Sequence, residues 1–243
     1  MRRVLTTGSS RGIGLAIARR FARVGDEALV HGVTHAAALG ALSKIDGKAQ
    51  AFGADLSKPE QIEKLVSDVG EIDVLVNCAG IYEDMPFATA TEADWDRTIA
   101  VNTTAPWLLA RGFLASLRKR KGVIVNIGSD AGVLGYAGCV AYCASKGAII
   151  GLTKALAVEL APEVRALCVC PGPVATDMME QSVMKAADPE AERLRWASFP
   201  HMKRIADPAE IAEAVIFAAS PDCGFATGSV IMVDGGVTAG KRV

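Results

Sequence analysis

Tyr142 and Lys146 stand four residues apart in a stretch, Tyr142 to Leu160, whose composition predicts a helix, so their side chains share one helix face. A phenol with an ordinary pKa of about 10 is a poor base at neutral pH. An adjacent ammonium favours the phenolate, and an oxidised nicotinamide would add to that effect. Tyr142 can then give a proton to a developing alkoxide or take one from an alcohol. Ser129 ends a predicted strand 13 residues upstream, where its hydroxyl can hold the same oxygen in hydride-transfer geometry. Lys146 can also bind ribose hydroxyls. Asn102, in the long helical stretch before that strand, can hold a water that links Lys146 to solvent. Together the four can run a carbonyl reduction or its reverse. A Tyr-x-x-x-Lys pair alone fits any amphipathic helix; Ser129 at a strand end sets this one apart.

Such chemistry needs a hydride carrier, and the N-terminal residues offer a place for one. Thr7-Gly8-Ser9-Ser10-Arg11-Gly12-Ile13-Gly14 lies between a first apolar run, Val4-Leu5-Thr6, and a helical pattern through Ile13, Ile17, Phe21 and Val24. Gly8 allows a tight turn, Gly12 lets backbone N–H groups approach a pyrophosphate, and Gly14 lets the helix pack on the strand. The helix N-terminus adds positive potential. Asp55 and Leu56 follow the third predicted strand, and Asn77-Cys78-Ala79-Gly80 follows the fourth. Ligands of doubly wound sheets sit outside the carboxyl ends of the strands, so these features crowd one edge. There Asp55 can accept from an adenine amino group, and Ala79 and Gly80 let a ribose pass close to backbone.

The stretch after the second strand, His31-Gly32-Val33-Thr34-His35, carries no acid for a ribose 2′-OH, the usual mark of an NAD site. Arg11 can supply a cation for a 2′-phosphate and Thr34 a hydroxyl. The expectation is NADP(H), with NAD(H) left open because no arginine follows that strand.

The elements that must position these residues alternate. Strands are expected at Val4–Thr6, Ala28–Val30, Ala49–Phe52, Ile72–Val76, Gly122–Ile127, Val164–Val169 and Ser229–Val233. Helices are expected at Ile13–Val24, Thr34–Leu42, Lys58–Val69, Thr91–Leu117, Tyr142–Leu160 and Pro208–Ala219, with an irregular helical insertion over residues 178–203. The strands are apolar runs rather than alternating patterns, which argues for a parallel sheet covered on both faces. The fold expected is α/β, a doubly wound parallel sheet, in one domain spanning residues 1–243.

Composition narrows the partners. Of 243 residues 51% are hydrophobic, enough for a large core, and 26 basic against 27 acidic residues leave no footprint for nucleic acid or an anionic membrane. Only Val4-Leu5 follows Met1-Arg2-Arg3 before polar residues, so no secretory segment is expected, and Lys154 and Glu159 interrupt the richest apolar stretch. The six cysteines form no C-x-x-C pair, and His31, His35 and His201 lack zinc-finger spacing, so reduced thiols in a cytoplasmic protein are expected and no metal.

These residues resemble the short-chain dehydrogenase/reductase family in its compact form. The resemblance rests on Thr7-Gly8-x-x-x-Gly12-x-Gly14, Asp55, Asn77-x-Ala79-Gly80, Asn102, Ser129, Tyr142-x-x-x-Lys146, Pro171-Gly172 with Thr176, and Val233-Asp234-Gly235-Gly236. It implies a seven-stranded Rossmann sheet, a nicotinamide cofactor and a tetrad of Asn102, Ser129, Tyr142 and Lys146. It further implies that Thr176 binds the nicotinamide carboxamide and that Val174 lines its ring. The nearest flavour is that of 3-oxoacyl-acyl-carrier-protein reductases and sugar or polyol dehydrogenases. Cys78 departs from the usual Asn-Asn-Ala-Gly, and Val33 replaces the arginine common in NADP members.

The substrate, a small alcohol or ketone, is expected against Ser129, Ala131, Val133, Tyr136, Cys139 and Tyr142, with Met178, Met179, Met184, Trp196 and Phe199 available from the insertion. Arg120 and Arg165 are candidates for an acyl-carrier docking patch, against the plainer reading of solvated charges. Tyr142–Leu160 and Asp94–Leu117 carry more apolar residues than one sheet face can cover, so they are expected to pack on their copies across a two-fold axis. Val233 to Val243 can add a second interface, giving a homotetramer. A catalytically silent cofactor-binding protein on the same fold is the alternative that turnover would exclude. A nicotinamide-retaining isomerase or dehydratase fits less well, since such relatives carry a C-terminal substrate domain for which this chain lacks room.

Overall fold

A computed structural model describes residues 1–240. Seven parallel strands form one sheet in the order β3-β2-β1-β4-β5-β6-β7. They are β1 (Arg3–Thr6), β2 (Glu27–Gly32), β3 (Ala49–Gly53), β4 (Val74–Asn77), β5 (Val123–Ile127), β6 (Arg165–Pro171) and β7 (Val230–Val233). The helices between them are α1 (Gly12–Arg23), α2 (His35–Leu42), α3 (Pro59–Val69), α4 (Glu92–Ile99), α5 (Ala105–Gly112), α6 (Leu114–Arg120), α7 (Val140–Leu160), α8 (Asp177–Val183), α9 (Pro189–Ser198) and α10 (Pro208–Ala218). This is the doubly wound Rossmann sheet expected. The strand order reverses direction at β1 and β4, which opens the crevice where such folds bind ligands.

Successive residues of the central strands serve opposite faces, because side chains alternate across a pleated strand. Leu5, Leu75 and Ile124 pack on the side of α3 and α5, with Ile62, Leu65 and Leu109. Val4, Val74, Val76 and Val125 pack on the side of α1 and α10, with Ile17, Phe21, Ile211 and Val215. Both faces are therefore dry, and the strands read as continuous apolar runs. Thr6 pairs with Val76, which pairs with Val125, so the carboxyl ends of β1, β4 and β5 lie side by side, each strand running about one residue past the one before.

The expected helix over Thr91–Leu117 is three helices. A π-turn over Ala100–Thr104 separates α4 from α5, and the Ala105 N–H donates to the Ala100 carbonyl. Pro106 stands at the start of α5 and has no N–H to give to the Asn102 carbonyl, so the ladder widens there. The widened turn buries Asn102 to 1% exposure. The insertion over 178–203 resolves into α8 and α9.

Arg120 and Arg165 do not form a common basic patch. Arg120 pairs with Glu71, whereas the Arg165 guanidinium donates to the carbonyls of Ala218, Ser220, Cys223 and Ala226. Arg165 is therefore neither a docking charge nor a solvated one. No helix among the described residues is long and apolar enough to cross a membrane.

Candidate active site

The loops after β1, β3, β4, β5 and β6 line one cleft of about 970 Å³, near the upper end for ligand sites. Gly8, Ser10, Arg11, Gly12, Ile13, Gly14, Asp55, Leu56, Ala79, Gly80, Pro171, Gly172, Val174 and Thr176 face it, as do Ser129, Ala131, Tyr136, Cys139, Tyr142 and Lys146.

The phosphate turn is built on close backbone approaches. Gly8 has φ +64°, and a Cβ there would lie 2.7 Å from Ala79 Cα. A Cβ on Gly14 would meet the Gly8 carbonyl oxygen at 2.4 Å, so only glycine lets α1 start against the turn. Helix α1 begins without a side-chain cap and has no acid in its first turn. Its first N–H groups are thus left for an anion, as a pyrophosphate requires. The residues present fit a dinucleotide: an uncapped helix start, a glycine floor and a long cleft.

His31, unassigned from sequence, locks this turn. The Gly8 N–H donates to His31 Nδ1 and the Ser9 hydroxyl accepts from the His31 N–H, at 3.0 and 2.9 Å. His31 Nε2 lies 3.0 Å from the Ala54 carbonyl, so it carries the hydrogen and the ring is neutral. Burial pushes its pKa down to about 4 from 6.5. Between those values the unfolded chain binds a proton that the folded one does not, so stability falls as pH drops through that window. Urea titrations should show wild type losing about 2–3 kcal/mol more than His31→Gln between pH 7 and about pH 4.5. Equal losses would mean that His31 is not the group.

Ser129 caps a short 3₁₀ turn, Asp130–Gly132, on which α7 packs. Helix α7 holds Tyr142 over the cleft and buries Lys146 to 5% exposure. Lys146 Nζ donates one hydrogen to the Ile127 carbonyl at 2.9 Å, leaving two, and lies 5.6 Å from the Tyr142 ring centroid. Tyr82 packs edge-on against Tyr142 with centroids 5.1 Å apart and fixes its plane. A Cβ on Gly80 would meet both Asn102 Oδ1 and Lys146 Nζ, at 3.4 and 3.7 Å, so the two flank that glycine.

The electrostatics differ from expectation at one point. Burial pushes the Tyr142 phenol upward, and the Asp130 carboxylate adds to this, while the Ser129 hydroxyl works the other way. Burial also pushes the Lys146 ammonium down. Lys146 is not among the groups that pull the phenol down, so the protein's own charges leave Tyr142 protonated. Cys78, the departure from Asn, is a half-buried thiol that desolvation pushes up to about 12, so it stays neutral.

Five expected residues do not line the cleft. The Thr34 hydroxyl caps α2, accepting from the Ala37 N–H. Asn77 donates to Asn126, which donates to Thr153, in a network beneath the cleft floor. Asn102 donates to the Ile81 carbonyl and Ser145 and accepts from the Ile81 N–H, so it braces the loop after β4. Val133 and Met184, expected beside the substrate, are 55% and 63% exposed and lie outside the cleft. Conversely, Asp84, Arg97, Asp130 and Arg195 line it. No periodicity marks these, which come from the loops after β4 and β5, from α4 and from α9.

The family model described as enoyl-(acyl carrier protein) reductase matches residues 8–238. 2-(S)-Hydroxypropyl-CoM dehydrogenase 3 of Xanthobacter autotrophicus is 40% identical, over 97% of this chain and 96% of its own. The chain belongs to the short-chain dehydrogenase/reductase family. A 3-oxoacyl-acyl-carrier-protein reductase of Vibrio cholerae is 35% identical, over 96% of each chain. A Beutenbergia cavernae protein assigned as an NAD(P)-dependent gluconate 5-dehydrogenase, solved with NADP at low occupancy, superposes with a TM-score of 0.90. It is 32% identical, over 98% of this chain and 97% of its own. As a member of the short-chain dehydrogenase/reductase family, the protein is an NAD(P)-dependent oxidoreductase acting on small molecules.

Proposed function

We propose that the enzyme interconverts a secondary alcohol and its ketone, with Tyr142 as the general acid and base. The observation that carries this is one cleft wall where Ser129, Tyr142 and Lys146 stand together beside the glycine floor. The bound cofactor supplies or accepts the hydride and, when oxidised, brings the positive charge that Tyr142 needs. Tyr142 gives its phenolic proton to the carbonyl oxygen during reduction and takes it back during oxidation. Ser129 holds the same oxygen. Lys146 keeps two N–H groups for ribose hydroxyls and the phenol, and Asn102 fixes the loop that carries Ala79 and Gly80. The similar proteins are each named for chemistry at a secondary alcohol or ketone, which supports the substrate class. Assay of reduced-cofactor loss over a panel of small ketones tests the reading. Failure with every ketone would favour the silent cofactor-binding alternative.

The cofactor we favour is NADP(H). Arg11 stands at the start of α1 on the cleft, no acid follows β2, and Val33 occupies the rim instead. The six free cysteines support a cytoplasmic, reducing environment.

We propose further that the enzyme is a homotetramer. Ala144, Ala148, Gly151, Ala155 and Val158 form an exposed stripe of small residues along α7, with Val158 84% exposed. Trp95 and Trp107 add exposed apolar surface from α4 and α5. A close helix-to-helix contact with a second copy would cover this stripe. The second expected interface runs from β7 into the tail, whose residues 241–243 lie outside those described. Light scattering should give about four times the chain mass of 25.3 kDa. A value near the chain mass itself would refute assembly, and one near twice it would leave only the helix-pair contact.

A further inference from the structure

Asp130, next in sequence to Ser129, plays no part in the chemistry above, yet it sits within it. It lines the cleft with Ser129, Tyr136 and Tyr142 and is only 7% exposed. Three donors converge on its carboxylate. The Ser129 hydroxyl and the Ala131 N–H donate to Oδ1 at 2.9 and 2.8 Å, and the Tyr136 hydroxyl donates to Oδ2 at 2.9 Å. The Ala131 N–H also reaches Ser129 Oγ at 3.1 Å. A hydroxyl has one hydrogen, and that of Ser129 is committed to Asp130.

We propose that Asp130 is a positioning residue for the reaction, one that orients Ser129 through its hydrogen and sets the proton affinity of Tyr142 through its negative charge. The proposal rests on the alcohol–ketone reading given above. Two consequences follow from the geometry. First, a substrate oxygen receives the Ser129 hydrogen only in exchange with a carboxylate, and hydrogen bonds to ionised acceptors are roughly twice as strong as neutral ones. Asp130 thus holds Ser129 in one rotamer until a substrate oxygen arrives. Second, a carboxylate beside a phenol disfavours the phenolate. Asp130 is one of the groups that keep the proton on Tyr142, after burial itself.

Burial pushes the Asp130 carboxyl upward and its three donors work the other way; the other titratable groups that act on it or feel it are Tyr136 from the turn before α7, Tyr142 from α7 and Asp234 after β7. Asp234 is the second anion, but its carboxylate is occupied by the Thr238 hydroxyl and the N–H groups of Gly236 and Thr238. Among these groups Asp130 is the anion whose removal changes both Ser129 and Tyr142.

The test compares wild type, Asp130→Asn and Asp130→Ala in alcohol oxidation across pH, using an alcohol that wild type turns over. Oxidation needs the phenolate, so its rate rises with pH through the Tyr142 titration. Removing a like charge lowers that pKa, so the rising limb should move to lower pH by about half a unit or more in both variants. Asp130→Asn keeps an acceptor for Ser129 and should retain kcat at the plateau within about threefold, whereas Asp130→Ala leaves Ser129 unbraced and should lose about tenfold. Cofactor KM should stay within about twofold in both, because Asp130 touches only substrate-side groups. A residue that merely braces the turn would change stability and cofactor KM and leave the limb in place. A limb unmoved, or moved upward, in an active variant overturns the proposal while leaving the alcohol–ketone reading intact. Wild-type enzyme inactive on every alcohol and ketone removes both.

Discussion

Tyr142→Phe should abolish turnover, by at least about a hundredfold, while cofactor affinity stays within a few-fold. The phenylalanine ring still packs against Tyr82 and fills the same space over the cleft. What disappears is the hydroxyl that the proposed reaction uses to exchange a proton with the reacting oxygen. Neither neighbour can substitute. The two hydrogens that Lys146 keeps beyond its bond to Ile127 serve, in the proposed reading, the ribose and the phenol, and the Ser129 hydrogen is given to Asp130. The measurement is kcat by steady-state assay, with cofactor binding followed by fluorescence. A variant that keeps more than about a tenth of wild-type kcat would show that Tyr142 does not carry the proton.

Arg11→Ala should weaken NADPH by about 10- to 150-fold and NADH by no more than about twofold. A charge-assisted contact to a phosphate is worth roughly 1.5–3 kcal/mol, and NADH has no 2′-phosphate to lose it to. The variant should fold, because Arg11 is exposed and supplies no side-chain cap to α1. Isothermal titration with both cofactors checks the ratio. Equal weakening of the two would remove Arg11 from the 2′ end and favour NAD(H).

The cleft wall of Ser129, Tyr142 and Lys146 was legible because its members obey local rules. Two residues on one helix turn share a face, and a serine ending a strand reaches the carboxyl edge of the sheet, whatever the rest of the chain does. The glycine turn was legible for the same reason, since Gly8 and Gly14 answer to backbone clearance alone. Two of the expectations that failed concern short polar side chains with two possible employers. Thr34 and Asn77 have the right chemistry and the right strand ends, but one caps a helix and the other joins a buried amide chain. Periodicity could not separate those roles. Nor could it show the π-turn, where a single proline changes the spacing of an otherwise continuous apolar pattern. His31 escaped notice because the second strand was expected to end at Val30, which left His31 in the loop beyond it, whereas β2 runs to Gly32 and its pairing with β3 and the return of the glycine turn enclose the ring. The family resemblance rested on the ordered set of these local motifs, and the family model and a relative 40% identical to the chain each cover nearly all of it.

The account turns on direct hydride transfer between a nicotinamide and a carbinol carbon. Its most direct test uses NADPH carrying deuterium at both C4 positions, with ketones that the enzyme consumes, and mass spectrometry of the alcohol formed. The expected product carries one deuterium, bonded to the carbinol carbon, in proportion to cofactor oxidised. Cofactor oxidation that leaves the carbinol carbon unlabelled, or an enzyme that binds NADPH and oxidises none of it with any ketone, would contradict the account.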